Sequence, residues 1–269
     1  MGAKEFNVFG KSGDEMNYIE AKHLTTGYDG IPLTKHINFV VEKGDYLCIV
    51  GENGAGKSTL MKTLLRLIPP VKGEITFNEE LGTKDIGYLP QQTVVQKDFP
   101  ASVWEIVLSG NLAKSGLRPF YNKEEKERAK ECLKRFDAWE LRKKTFRNLS
   151  GGQQQRVLLS RALCATSKII LLDEPVAGLD PKVTEEMYRL VKSLNDTGVT
   201  IIMISHDINT AVRFSNKILH LGHKQLFYGS TEDYLHSEAY KFFSNIEEDD
   251  EEDEESKEDN KKINNGGNE

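Results

Sequence analysis

The sequence predicts an α/β domain with a mainly parallel β-sheet. Apolar runs of strand length occur at residues 46–50, 169–172 and 199–204, and stretches with apolar residues at helical spacing lie between them. Strands that alternate with helices build parallel sheets, because the connection between two parallel strands is long enough to hold a helix. The hydrophobic share of 38% is enough for one large domain, or for one domain with an inserted subdomain.

The N-terminal part predicts a loose extension and then short strands. Residues 1–16 lack periodicity and contain three glycines, so we expect order to begin near residue 17, and Met16 could start the chain as well as Met1. Strands are expected where short apolar runs are separated by the turn sequences Asp29-Gly30 and Lys43-Gly44. The predicted strands cover residues 18–24, 37–41 and 46–50.

The sequence predicts one domain over residues 17–246 with a helical insertion. Apolar residues at helical spacing continue up to Pro69-Pro70, which should end the first helix. Strand signals vanish over about residues 97–147, where we expect an inserted helical subdomain. They return at 169–172 and 199–204, and a hairpin at 217–221 and 225–228 is expected to close the folded part.

The charge is unevenly distributed. Residues 247–269 hold 12 acidic and 3 basic residues, so the rest of the chain carries 33 basic and 30 acidic residues and is nearly neutral. This acidic tail should be disordered and solvated, with weak capture of divalent cations by residues 247–255 as the alternative. The folded part lacks the strong basic face of a nucleic-acid-binding protein, so we expect no nucleic-acid partner.

The sequence predicts neither a membrane-spanning segment nor a disulfide bond. No apolar run approaches the roughly 18 residues of a membrane-spanning helix, and the first 15 residues do not resemble a secretory signal, so a membrane role would need a partner. The three scattered cysteines form no C-x-x-C pair, which favours reduced thiols in a cytosolic protein.

Residues 51–58 match the phosphate-binding pattern G-x-x-x-x-G-K-S between a strand and a helix. The glycines let backbone N–H groups turn towards phosphate oxygens, and the helix N-terminus adds partial positive charge. Lys57 is expected to reach the β- and γ-phosphates, and the Ser58 hydroxyl to bind Mg²⁺.

An acidic pair at the end of an apolar strand completes this pattern. Asp173 and Glu174 follow residues 169–172, and Asp173 is expected to hold Mg²⁺ while Glu174 polarises the attacking water. Such a pair is a weak signal alone and becomes a strong one after a phosphate loop. Together the two motifs predict a P-loop nucleoside triphosphatase.

A third motif narrows the class of triphosphatase. Leu149, Ser150, Gly151, Gly152 and Gln153 open a predicted helix, where Ser150 suits an N-cap and the glycines leave N–H groups free for an anion. These residues resemble the signature of ABC ATPases, and the resemblance covers about residues 18–240. It implies a RecA-like core with an antiparallel β subdomain and an inserted α-helical subdomain. It also implies a head-to-tail homodimer with ATP between one chain's phosphate loop and the other chain's signature.

The resemblance assigns the remaining site residues. It implies adenine stacking for Tyr28, sensing of Mg²⁺ for Gln91 (with the adjacent Gln92 as the alternative), a D-loop role for Asp180 and a γ-phosphate switch for His206. Asp180 also precedes Pro181, a favourable start for the helix that follows. The implied nucleotide-binding set besides Tyr28 is Gly51, Glu52, Asn53, Gly54, Ala55, Gly56, Lys57, Ser58 and Thr59.

Residues 98–103 and 116–120 resemble the metal-ion uptake branch of ABC transporters, above all bacterial zinc-uptake ATPases. The resemblance implies two integral-membrane permease subunits, an extracytoplasmic metal-binding protein and a place at the cytoplasmic face of the membrane. Manganese, iron or metal-chelate import is the alternative, and a soluble ABC ATPase of translation or repair, or an exporter motor, is more distant. His220 and His223 flank a predicted turn without companion ligands, so we expect ordinary surface histidines.

Overall fold

The computed structural model describes residues 17–91, 100–115, 118, 120–166 and 168–241. Within them, the chain forms an antiparallel sheet of three strands, a larger and mainly parallel sheet of six strands, and a group of helices inserted between the fifth and sixth strands. The predicted fold class is therefore confirmed. The extension at 1–16 and the acidic tail at 247–269 lie outside the described residues.

The antiparallel sheet has the order β2-β1-β4. A two-residue turn joins the first two strands, with positive φ angles of 49° at Asp29 and 82° at Gly30, as hairpin turns require. The strands of this sheet are β1 (Asn17–Tyr28), β2 (Ile31–Glu42) and β4 (Lys72–Phe77).

The larger sheet has the order β5-β6-β7-β3-β8-β9, and all neighbouring pairs are parallel except β8 and β9. The apolar runs of β3, β6 and β7 are completely buried, because both faces of the sheet are covered. Its strands are β3 (Tyr46–Val50), β5 (Ile86–Leu89), β6 (Ile169–Asp173), β7 (Thr200–Ile204), β8 (Lys217–Leu221) and β9 (Gln225–Ser230).

The helices complete the layers. On one face of the larger sheet, the hydrophobic core includes residues of the antiparallel sheet and of the first helix. On the other face, a second core includes residues of the helix that precedes β7. A third core lies among the inserted helices. The helices are α1 (Lys57–Leu64), α2 (Val103–Leu108), α3 (Leu112–Ser115), α4 (Lys123–Arg135), α5 (Gly151–Ala165), α6 (Pro181–Asn195), α7 (Ile208–Phe214) and α8 (Thr231–Leu235).

The structure corrects several expected elements. The helix α1 ends at Leu64 rather than at Pro69, because Arg66 takes a left-handed conformation with φ of 59°. The strands β4 and β5 were not predicted, and the hairpin of β8 and β9 is followed by a further helix. The bounds of the inserted subdomain, 97–147, stay a prediction because residues 97–99 lie outside the described part of the chain.

Candidate functional site

Four parallel strands end at one edge of the larger sheet, where the predicted catalytic residues meet. The backbone register aligns Leu89 with Leu172, Asp173 with Ile204, and Ile204 with Ile49. A predicted site segment follows each strand directly or after one residue. These segments are the glycine-rich loop after β3, Gln91 after β5, Glu174 after β6 and His206 after β7. In open α/β sheets, ligands bind at this carboxyl edge.

The predicted phosphate loop at residues 51–58 has the backbone that its glycines allow. Gly51, Gly54 and Gly56 have φ angles of 137°, 83° and 91°. A Cβ atom on Gly51 would lie 2.0 Å from the carbonyl oxygen of Leu221, so this position also needs glycine for space. Glu52, Asn53 and Gly54 are exposed, whereas Ala55 is buried.

Lys57 closes the loop from inside. Its Nζ donates to the carbonyl oxygens of Gly51 at 2.6 Å and Glu52 at 2.8 Å. Burial lowers the pKa of Lys57, and the carboxylates of Glu174 and Asp173 oppose this shift. The ammonium group therefore lies in the loop with acidic groups nearby, where an anionic phosphate could replace the two carbonyl acceptors.

Thr34 supports the loop from the neighbouring sheet and was not predicted as a site residue. Its side chain is completely buried, and Oγ1 donates to the carbonyl oxygen of Ala55 at 2.6 Å. A Cβ atom on Gly56 would lie 2.1 Å from the same Oγ1. Thr34 thus fixes both the hydrogen bonding and the available space at this turn of the loop.

Asp173 offers an oxygen that suits a metal ion. Tyr88 donates from its hydroxyl to Oδ2 at 3.5 Å, whereas Oδ1 is buried without a hydrogen-bond partner among the described residues. Burial, followed by the charge of Glu174, raises the pKa of Asp173. Ser58 is half-buried at the start of α1. An orphaned carboxylate oxygen and a hydroxyl are donors of the kind that Mg²⁺ prefers.

Glu174 brings Gln91 and His206 together. Gln91 Nε2 donates to Glu174 Oε2 at 2.7 Å, and His206 Nε2 lies 2.5 Å from Glu174 Oε1. Glu174 has a φ of 50°, an unusual backbone conformation for a residue other than glycine. The three predicted catalytic side chains thus form one connected cluster.

Tyr28 lies at the end of β1 and is exposed over 45% of its surface. Its hydroxyl accepts a hydrogen bond from Lys62 Nζ at 3.0 Å, and bonds with Lys62 and Thr59 lower its pKa. Tyr28 therefore borders α1 beside Thr59, close to the phosphate loop, with a ring that is accessible for stacking.

The predicted signature starts the helix α5. Ser150 caps it by accepting from the backbone N–H of Gln153 at 3.4 Å, and Gln153 Oε1 accepts from the Ser150 N–H at 3.2 Å. Leu149 is buried, whereas Ser150 and Gly151 are exposed. A Cβ atom on Gly152 would lie 2.6 Å from Val183 Cγ1 in α6, so this glycine permits a close approach of the two helices.

Asp180 caps α6, as expected from its position before Pro181. Its Oδ1 accepts from the Val183 N–H at 3.1 Å. The side chain is exposed, which also leaves it accessible for the D-loop role that the sequence predicts.

The prediction that His220 is a surface histidine is wrong. His220 lies on β8 beside Val50 of β3 and is only 2% exposed, and its Nδ1 is 3.0 Å from the Tyr234 hydroxyl. Burial, together with the charge of Lys57, lowers the pKa of His220 to about 4. No cluster of three or more possible metal ligands occurs among the described residues. His220 is therefore a neutral core residue behind the phosphate loop.

The three cysteines Cys48, Cys132 and Cys164 are free and buried. In the described ranges, no helix is long and apolar enough to cross a membrane.

Comparisons with known proteins identify the family. The model of the ABC transporter family matches residues 34–177. The manganese transport system ATP-binding protein MntB of Bacillus subtilis is 37% identical over 219 residues, which cover 80% of this chain and 87% of that protein. The zinc uptake system ATP-binding protein ZurA of Listeria innocua is 33% identical over 225 residues, with 81% and 88% covered.

Solved structures agree with the family. A metal-chelate type ABC transporter in an inward-facing conformation matches with a TM-score of 0.74 and 31% identity, covering 81% of this chain and 85% of that chain. A dimeric ATP-binding cassette in a post-hydrolysis state with ADP and Pi matches with a TM-score of 0.65 and 30% identity, covering 79% and 98%. This chain therefore belongs to the ABC transporter family and is one of its ATP-binding, ATP-hydrolysing cassettes.

Proposed function

We propose that this chain is the motor subunit of an importer for a divalent transition-metal ion, with zinc as the specific ion. It would bind ATP with Mg²⁺ at the carboxyl edge of the larger sheet and hydrolyse it in a head-to-tail homodimer. The observation that supports this best is the cluster of Gln91, Glu174 and His206 beside Lys57 and Asp173. The similarity to ATP-binding proteins of manganese transport and zinc uptake systems supports metal-ion uptake.

The nucleotide would be held by the loop at residues 51–58, with Lys57 exchanging its carbonyl acceptors for phosphate oxygens. Ser58, Asp173 and Gln91 would hold Mg²⁺, which when bound neutralises and orients the phosphate oxygens. Glu174 would orient and polarise the attacking water. Phosphoryl transfer depends mainly on positioning and charge, so the connected side chains at this edge are suited to it.

The second half of the site would come from another copy of the chain. The dimeric cassette with ADP and Pi supports this arrangement. ATP binding would close the dimer and hydrolysis would reopen it, and this motion would be passed to two permease subunits in the membrane. The chain would then lie at the cytoplasmic face of the membrane, with an extracytoplasmic protein delivering the metal ion.

The motor role is tested with Glu174→Gln. We expect this variant to form a stable dimer with ATP and to lose at least about 100-fold in kcat, because the general base is removed. Glu131→Gln on the exposed face of α4 is the matched control and should hydrolyse ATP normally. A Glu174→Gln protein that stays monomeric with ATP and retains normal turnover would contradict the proposal.

The metal ion is tested by reconstituting the cassette in liposomes with its permease and binding protein. We expect ATP-driven uptake of Zn²⁺ to exceed that of Mn²⁺ and Fe²⁺, and preferential uptake of either other ion would reassign the cargo. Co-purification with ribosomes instead of a multi-spanning membrane protein would support the soluble alternative.

A further inference from the structure

A buried hydroxyl group bridges the turn after β7. Ser205, only 3% exposed, donates from Oγ to the carbonyl oxygen of Asp207 at 3.1 Å and accepts from the N–H of the same residue at 3.1 Å. These two bonds close a small ring around His206, the residue between them. The path of the backbone at His206 therefore depends on the Ser205 side chain.

A third hydrogen bond anchors this hydroxyl to α6. The Tyr188 hydroxyl lies 2.7 Å from Ser205 Oγ, and both groups are buried. A serine hydroxyl has one hydrogen and two lone pairs, and the hydrogen is already given to Asp207. With the serine hydrogen on the Asp207 carbonyl oxygen, Tyr188 is the donor; either hydroxyl has the hydrogen to supply this bond. Burial raises the pKa of Tyr188, so its hydroxyl keeps the proton that this bond needs.

Tyr188 links the helix that begins after Asp180 to the turn that carries His206. It lies on α6, which begins after Asp180, and it is only 1% exposed. Its ring stacks on Phe214 with centroids 5.4 Å apart. A phenylalanine could make the same ring contacts, so the hydroxyl is required only for the bond to Ser205.

We propose that Tyr188 is a positioning residue for ATP hydrolysis, which acts through Ser205 to hold His206 against Glu174. The inference rests on the proposed role of His206 in the site. The imidazole is exposed at the carboxyl edge, and its Nε2 meets the Glu174 carboxylate at 2.5 Å. A side chain in this position has little packing of its own to fix it, so the turn that carries it determines its direction.

Tyr188→Phe removes the hydroxyl and keeps the ring. We expect kcat for ATP hydrolysis to fall by about 3- to 10-fold while the KM for ATP stays within about twofold, as for the loss of one buried hydrogen bond that acts on the transition state. Tyr46→Phe is the matched control. Tyr46 is also buried at the start of β3, and its hydroxyl contacts Met203 Sδ at 3.5 Å, a contact that does not involve Ser205 or His206. This control should leave kcat unchanged.

A second measurement reports His206 directly. In nucleotide-free protein labelled with ¹⁵N-histidine, the ring signal that is lost in His206→Ala belongs to His206. Tyr188→Phe should shift or broaden this signal, whereas Tyr46→Phe should leave it in place. In the His206→Ala background, addition of Tyr188→Phe should change the residual kcat by less than about twofold, because the positioned group is gone.

The outcomes separate this inference from the proposed function. If His206→Ala lowers kcat strongly while Tyr188→Phe changes neither kcat nor the His206 signal, the inference is wrong and the proposed function stands. An equal loss of kcat from Tyr188→Phe with and without His206 would show a general structural role and would also overturn it. If His206→Ala hydrolyses ATP normally, the role of His206 itself fails, and the inference fails with it.

Discussion

The hydrogen bond from Thr34 to the phosphate loop can be removed with almost no change in shape. Thr34→Val replaces the hydroxyl with a methyl group in a side chain that is completely buried. The carbonyl of Ala55 then loses the donor that lies 2.6 Å away. A buried acceptor left without its partner costs about 1–3 kcal/mol.

The loss of this hydrogen bond should change two measurable quantities, the free energy of unfolding and the affinity for ATP. Part of the cost should lower the free energy of unfolding of the nucleotide-free protein, which corresponds to about 2–4 °C in Tm per kcal/mol for a domain of this size. The rest should weaken ATP binding, because ATP then has to order the loop. Since both effects draw on one hydrogen bond, their sum should be about 1–3 kcal/mol.

Urea unfolding and calorimetric titration with ATP measure the two parts separately. Thr34→Ser is the matched control: it keeps the hydroxyl, so its Kd for ATP should stay within about twofold of the natural chain. The reasoning is refuted if Thr34→Val changes the free energy of unfolding by less than about 0.5 kcal/mol and leaves the Kd for ATP within about twofold.

Three further predictions each concern one residue: His220, Asp173 or Gly56. His220 has its pKa lowered to about 4 from 6.5, so the unfolded chain binds a proton in this range while the folded chain does not. Stability should be complete above about pH 6.5 and fall by up to about 3 kcal/mol towards pH 4. Urea titrations of His220→Phe should show a flatter pH dependence, and an unchanged slope would contradict this. Asp173→Asn should lower kcat by at least about 100-fold with Mg²⁺ present, yet bind ATP in EDTA within about twofold of normal by calorimetry; metal-dependent turnover at the normal rate would exclude Asp173 as a ligand. Gly56→Ala should lower Tm and abolish ATP binding, because its Cβ would lie 2.1 Å from Thr34 Oγ1 at a φ of 91°, and a variant with normal ATP affinity would contradict the predicted strain.

The sequence predicts the completely buried strands well and misses β4 and β5. The runs at 46–50, 169–172 and 199–204 are apolar along their whole length, since both faces of the central sheet are covered, and the structure places their ends within one residue. By contrast, two of six residues are buried in β4 and two of four in β5, and the partner strands β1 and β6 determine their pairing. That information lies far away in the chain.

The site shows the same division between local and distant signals. The phosphate loop, the acidic pair and the signature are contiguous motifs with fixed spacing. The groups that hold them are single residues distant in sequence: Thr34 is 21 positions from Ala55, and Tyr88 is 85 positions from Asp173. His220 was misplaced for a related reason, because its burial depends on β3 and on the Tyr234 hydroxyl rather than on its own neighbours.

The position of the signature indicates why one chain would not complete the site. The helix α5 begins at the exposed Ser150 and Gly151, and its first glycines approach Leu179 and Val183. Its contacts include the inserted helices α2 and α4, whereas Asp173 ends β6, Glu174 follows it and Lys57 starts α1. A helix N-terminus attracts anions, so the phosphate that it serves would come from a second chain.

Mixing two inactive variants tests this arrangement. Lys57→Ala damages the phosphate loop, and Ser150→Glu places a negative charge on the exposed start of α5. If ATP lies between two chains, each mixed dimer has one intact site, and an equal mixture should recover about one quarter of normal turnover. The control is the double variant, which should lower the turnover of added natural chain by about half, because their mixed dimers have no intact site. If each chain used its own signature, the single variants would stay inactive on mixing and the natural chain would keep its turnover.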